Sequence, residues 1–226
     1  MMMKKYTAKD LETFQRDEYG WLICPSGDYT AIKTFPEKCN FGMRCSFGRR
    51  CRFGKWSRFS EWSDFGHECV FGEGCIFGAS CSFGEMCVFG KCSNFGVFCS
   101  FGEMCAFGIC SNFGDVCSFG EGSCFGGRCN FGKQCSFGEY CCFGHNCSHE
   151  GLTNSIYMAV DKIGIELRKT YFFKAEEGYF VRAGCFFGTL DEFKNKLHKM
   201  HDGTIHETTY LMACDLAVKL LDSQWK

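Results

Sequence analysis

At 226 residues the chain is long enough for two average domains or for one repeat array with capped ends. Its 25 basic and 26 acidic residues leave a formal net charge of −1, which excludes a polyanion partner attracted by global charge, and any charge argument has to be local. The 21 cysteines, 27 phenylalanines and 28 glycines against 2 prolines lie outside ordinary globular composition and point to repetition.

Residues 1–10 are polar, with Lys4, Lys5 and Lys9, and no apolar h-region follows them. No uninterrupted apolar run approaches the roughly 18 residues of a membrane span. A cytoplasmic chain that stays out of the membrane is therefore expected. Residues 1–38 read as an N-terminal cap: a short helix over 11–16, an extended segment at 21–24, a Pro-Ser-Gly-Asp turn at 25–28 and a strand leading onward.

From residue 39 to 148 a six-residue unit, C/S-x-F-G-x-x, recurs with Phe at every sixth position from Phe41 to Phe143. Gly follows each Phe except at Ser60. In a strand, residues i and i+2 share a face, so Cys and Phe point inward and the residue between them outward, while Gly and two variable residues turn a corner. Taken in threes, the outward residues separate into columns. The first is Asn40, Arg58, Ile76, Asn94, Asn112 and Asn130. The second is Ser46, Asp64, Ser82, Ser100, Ser118 and Ser136, and the third is Arg52, Val70, Val88, Ala106, Cys124 and Cys142. Three six-residue units per coil make a triangular prism of six 18-residue coils, with like residues stacked about 4.8 Å apart. A square coil would scramble the columns.

This Phe-Gly-x-x-Cys-x frame resembles the hexapeptide repeat of left-handed β-helix proteins, with Phe where that family mostly uses Ile, Leu or Val, and Cys where it mostly uses a small residue. The resemblance covers about half the chain and implies a mainly β fold, a triangular left-handed parallel β-helix. The inward chemistry is also similar to that of pentapeptide-repeat proteins, but the sixth residue argues against their coil.

Fourteen cysteines stand at the inward small position, where a free thiol acts as a small hydrophobe. Ser replaces Cys at 57, 63, 93, 111 and 123 without regard to pairing, and parallel Cβ vectors suit disulfides poorly, so reduced thiols are expected. Cys92 and Cys110 fall at a corner, one coil apart and outward. No C-x-x-C occurs, and His145, Cys147 and His149 crowd the end of the array, while His198 and His201 stand at i, i+3 on a predicted helix. Neither group has a carboxylate-supported ligand set, so the expectation is no metal and no cofactor.

Beyond the repeat, 149–226 reads as a C-terminal α+β domain. Residues 156–160, 168–174 and 179–185 make three strands. Thr189 with Glu192 and Thr204 with Glu207 make capping boxes for two helices, whose apolar stripes are Leu190, Phe193, Leu197 and Met200, then Leu211, Cys214, Val218 and Leu221. The stretch YFVRAGCFFGTLDEF at 179–193, continuing into the helix pair, resembles a short module of phage and prophage proteins.

Charge is uneven along the array. Residues 39–60 carry Arg44, Arg49, Arg50, Arg52, Lys55 and Arg58 and no acid, a basic collar with Trp56 among the cations and Trp62 one coil on, a pairing suited to nucleic acid or another polyanion. Glu85, Glu103, Glu121 and Glu139 stack at one corner as an acidic column. The outward apolar column Val70, Val88, Ala106 and Cys124 is the expected homo-oligomer face, dimer or trimer, with the C-terminal helices folding back over it as the alternative. The expected function is non-enzymatic: a binding and assembly protein, taken with the phage resemblance to be a phage-encoded effector, such as an inhibitor of host defence, that binds a host protein or nucleic acid. The alternative is a CoA-dependent acyltransferase, implied by the hexapeptide resemblance, although His67 is the only histidine in the array before its last turn and no loop interrupts the coils.

Overall fold

A computed structural model describes residues 3–138, 140–144, 146–153, 155–164 and 168–225. The chain divides into two compact units, Met1–Gly151 and Leu152–Lys226.

The first unit is a parallel β-solenoid of three sheets, in which each strand from residue 34 onward pairs with one 18 residues away. Asn94 sits beside Ile76 and Asn112, Ser100 beside Ser82 and Ser118, and Val88 beside Val70 and Ala106, so the columns form an Asn sheet, a Ser sheet and a Val sheet. Phenylalanine fills the interior. Phe95 stacks nearly parallel on Phe77 at 4.8 Å and on Phe113 at 4.9 Å, and meets Phe89 and Phe101 edge-on at 5.1 Å. Offset stacking along a column and edge-to-face contact across columns are the two arrangements that the ring quadrupole favours, and one prism supplies both.

Corners are held as firmly as strands. The Gly96 N–H donates to Phe77 O at 2.9 Å and the Phe98 N–H to Asp115 O at 3.0 Å, so hydrogen bonding between coils continues around the bend. Reaching the next coil turns the second corner residue into the left-handed region, as at Met86 (φ 56°), Phe98 (φ 59°) and Val116 (φ 59°). For a side chain other than glycine this costs on the order of 1 kcal/mol, offset by the bond made. The preceding glycine has a different reason: a Cβ on Gly96 would stand 2.6 Å from the backbone nitrogen of Ala79 in the coil beneath.

In the middle of the array, inward thiols and hydroxyls bond differently. The Cys99 Sγ lies 3.4 Å from Gly78 O and that of Cys117 3.4 Å from Gly96 O, each reaching to the coil beneath, whereas the Ser93 and Ser111 hydroxyls donate at 2.9 Å to the glycine carbonyl of their own corner, Gly90 and Gly108. The longer C–S bond spans the gap between coils. All 21 cysteines are free thiols, and burial pushes those of Cys45 and Cys75 up to about 11.

The N-terminal segment departs from the expected cap. Leu22–Cys24 pairs with Cys39–Phe41, and Thr34–Phe35 with Arg52–Phe53, so residues 22–38 wind one further coil and the Asn and Val sheets each have seven strands rather than six. Tyr29 and Phe35 keep the six-residue spacing and stack on Phe47 at 5.5 Å and Phe53 at 4.7 Å, but they lack the flanking Cys and Gly that make the repeat visible. Helix α1 spans Ala8–Thr13, ahead of the expected 11–16, because Thr7 starts it: its N–H donates to Asp10 Oδ2 at 2.6 Å. Tyr6 closes this end by stacking on Tyr29 at 4.9 Å. At the other end His149 occupies the next place in a phenylalanine column, buried and stacked on Phe131 at 5.0 Å.

The second unit is a four-stranded antiparallel meander with two helices on one face, α2 (Leu190–His201) and α3 (Ile205–Gln224). It has four strands where three were expected, since Gly184, at φ 59°, opens a two-residue turn that pairs Ala183 with Phe186. Phe172 and Val181 of the sheet pack against Phe193 and Leu197 of α2 and Ala213, Cys214, Ala217 and Leu221 of α3. Met200, expected in the α2 stripe, is 62% exposed. Thr189 and Glu192 form the expected box, but Glu207 turns its carboxylate to the Gly203 N–H at 2.8 Å instead of back to Thr204. Among the described residues no helix is long and apolar enough to cross a membrane.

Candidate interaction surfaces

The expected site residues lie on the outside of the solenoid, at positions fixed by the six-residue period. Each sheet turns into the next at a corner of two outward residues, so a side chain's sequence number gives both its corner and its coil. The basic residues encircle the prism rather than forming one patch. Arg44 precedes the Ser sheet, Arg49 and Arg50 precede the Val sheet, Lys55 and Trp56 follow it, and Arg52 and Arg58 project from the Val and Asn sheets.

Half of the collar is engaged within the unit. The Arg50 guanidinium makes a forked pair with Glu68 one coil on, at 2.8 and 3.2 Å, which holds the Glu68 carboxyl below the usual range. Lys55 and Lys91 flank Glu73 at 3.4 Å each, a three-coil ladder of alternating charge that likewise lowers the Glu73 carboxyl. Arg58 lies over the Trp21 ring at 4.1 Å, a cation–π contact with a residue expected only to build the cap. No ion pair among the described residues involves Arg44, Arg49 or Arg52. Trp56 and Trp62 stand at different corners, 48% and 54% exposed. The Trp56 ring lies close over Gly74, where a Cβ would meet it at 2.5 Å; Trp62 follows Arg44 in one column.

Glu85, Glu103 and Glu121 share one exposed corner, and Glu139 lies outside the described residues. Below them in the same column stand His67 and Arg49, so one edge of the prism runs from basic to acidic along its axis. His67 is committed locally: its Nδ1 accepts the Glu85 N–H at 3.1 Å and lies 3.9 Å from the Glu85 carboxylate.

The Val sheet presents Val70 and Val88, 41% and 44% exposed, then Ala106 and Cys124 in register. The corner beside it adds Met86 and Met104, 43% and 55% exposed. Neither methionine stands out in the sequence, yet Met86 lies two residues before Val88 on the same outer surface, a placement that the six-residue period alone discloses. Cys92 and Cys110 stand at the corner on the far side of this sheet, exposed and half-buried. The Asn sheet carries an amide ladder, Asn130 Nδ2 donating to Asn112 Oδ1 and Asn112 Nδ2 to Asn94 Oδ1, at 2.8 Å each.

Cys147 and His149, grouped in the sequence as possible ligands, belong to the interior: the Cys147 Sγ lies 3.2 Å from Gly144 O, and the His149 ring continues the aromatic column. His145 lies outside the described residues. Compared with protein-family models, curated proteins and solved structures, the chain matches none.

Proposed function

We propose that this chain is a non-enzymatic binding and assembly protein in which two copies pair across the Val sheet. The observation that carries this reading is the juxtaposition of the apolar column with a charge-segregated corner. Exposed Met86, Val88 and Met104 form the centre. Arg49 lies two coils to one side of the Val88 coil and Glu121 two coils to the other, as 36 residues separate Glu85 from each. A twofold axis through Val88, perpendicular to the solenoid axis, lays this corner antiparallel against itself and sets Arg49 of one copy at the height of Glu121 in the other. An apolar centre with paired charges at its rim is the usual anatomy of a protein interface.

The Asn and Ser sheets and the rest of the collar then remain for a second macromolecule. The resemblance of residues 179–193 to a phage module supports a host protein or nucleic acid in that role and a phage-encoded effector as the protein's type. Arg44 and Trp62, in one column, favour a polyanion contact at their corner.

Light scattering tests the pairing. A dimer is expected at tens of micromolar, on the order of the range in which weak contacts persist. Val88→Glu should dissociate it while leaving the coil folded, and Arg49→Glu should weaken it, with rescue by Arg49→Glu combined with Glu121→Arg. A wild-type monomer, or a dimer indifferent to all three variants, overturns the reading.

A further inference from the structure

The α2–α3 turn in the second unit gathers residues that the proposed function does not use. His198 stands in the last turn of α2, Asp202 ends that helix, and Glu207 lies in the first turn of α3. The His198 Nδ1 is 3.1 Å from Glu207 Oε1 and 3.3 Å from Asp202 Oδ1, and one ligating atom from each of the three lies within 4.8 Å of the others. We propose that this turn is a binding site for a borderline divalent metal ion of the zinc type, held by His198, Asp202 and Glu207.

The distances carry the argument. An ion bound tetrahedrally at roughly 2.0–2.2 Å holds its donors roughly 3.3–3.6 Å apart, so the two short separations are close to those that a shared ion would impose. Little movement is needed. Glu207 is already oriented as a ligand: its side chain is 12% exposed, and its Oε2 accepts the Gly203 N–H at 2.8 Å, leaving Oε1 facing His198. This is the bond that departs from the expected capping box, and Gly203, at φ 69°, makes it possible by closing the turn. A ligating carboxylate fixed through its other oxygen is the usual support behind a metal ligand.

Charge and donor type select the ion. Two carboxylates and a neutral imidazole carry two net negative charges, which a divalent ion neutralises. An imidazole nitrogen beside carboxylate oxygens suits zinc, nickel or copper better than magnesium or calcium. The three side chains leave the fourth tetrahedral position to water. The sequence offered only His198 and His201; the two carboxylates come from the helix end and the following helix.

Cobalt(II) titration of the full chain tests this, because exposed thiols also bind such ions and thiolate ligation announces itself by an intense charge-transfer band. The expected result is one equivalent with ligand-field bands and no thiolate band, lost or weakened at least about tenfold in His198→Ala and in Asp202→Asn. Glu207→Gln should do the same; should it unfold α3 by circular dichroism, the first two variants decide. Zinc should displace the cobalt. Equal binding by wild type and both variants, or a spectrum that is thiolate throughout, overturns the proposal.

Discussion

The two units bury apolar residues by opposite rules. In the solenoid one residue type meets itself: the Phe95 ring stacks on and edges against phenylalanines of its own and adjoining columns, and every coil repeats the environment of the last. In the C-terminal unit Phe172, Val181, Leu197, Cys214 and Leu221 each meet a different set of neighbours, and the core is assembled once from two helices and a sheet. The solenoid is quasi-one-dimensional, so its stability is a sum of like interfaces and a defect is felt by the adjoining coils. A defect in the C-terminal core is shared by the whole unit.

Truncation at matched positions is the strongest way to break that comparison. Phe95→Ala should cost about 3–5 kcal/mol and Leu221→Ala about 2–5 kcal/mol. The first should loosen amides near coils 77–113 in hydrogen exchange, and the second should raise exchange throughout 156–224. Local effects from both would erase the distinction. Outward Asn94→Ser, which removes one amide bond of the ladder, should cost only about 1 kcal/mol.

Gly96→Ala sharpens the point about corners. Its methyl would press on the Ala79 backbone, which cannot move without disturbing the coil beneath, so the substitution should cost about 1–3 kcal/mol, comparable to overpacking a core. Gly203→Ala meets nothing within 4 Å and bears only the strain of its left-handed backbone, about 1 kcal/mol. Equal denaturation midpoints for the two would show that coil contact is not what selects glycine.

Thiol labelling distinguishes interior from surface without changing stability. Cys92, Cys142 and Cys185 should react in the native protein, whereas Cys81, Cys99 and Cys117 should wait for denaturant. Rapid labelling of the latter would contradict the ladder. The smallest effect is expected from pH. Arg50 depresses the Glu68 carboxyl, so this pair stabilises the fold above the ordinary carboxylate pKa, and the contribution disappears as pH falls through the lowered folded value. Both groups are open to solvent, so comparing Glu68→Gln with wild type between pH 7 and about 3 should show only a slight, salt-sensitive difference.

The surfaces were partly legible. The period assigned Val70, Val88, Ala106 and Cys124 to one column, and Glu85, Glu103 and Glu121 to another, because a strict repeat converts sequence number directly into position. It did not disclose that Arg50, Lys55 and Arg58 are engaged by Glu68, Glu73 and Trp21, since the choice of partner depends on side-chain reach across a corner.

By itself the sequence determined the solenoid: its triangular section, its inward phenylalanines and the register of its three sheets, all of which follow from a six-residue period that strand geometry translates without ambiguity. Only the tertiary structure decided what happens where the period fails. Tyr29 and Phe35 join the stack without the motif, His149 takes a phenylalanine's place at the far end, and Glu207 leaves its expected cap to face His198. Each is settled by stacking or hydrogen bonding to a residue that no local pattern specifies.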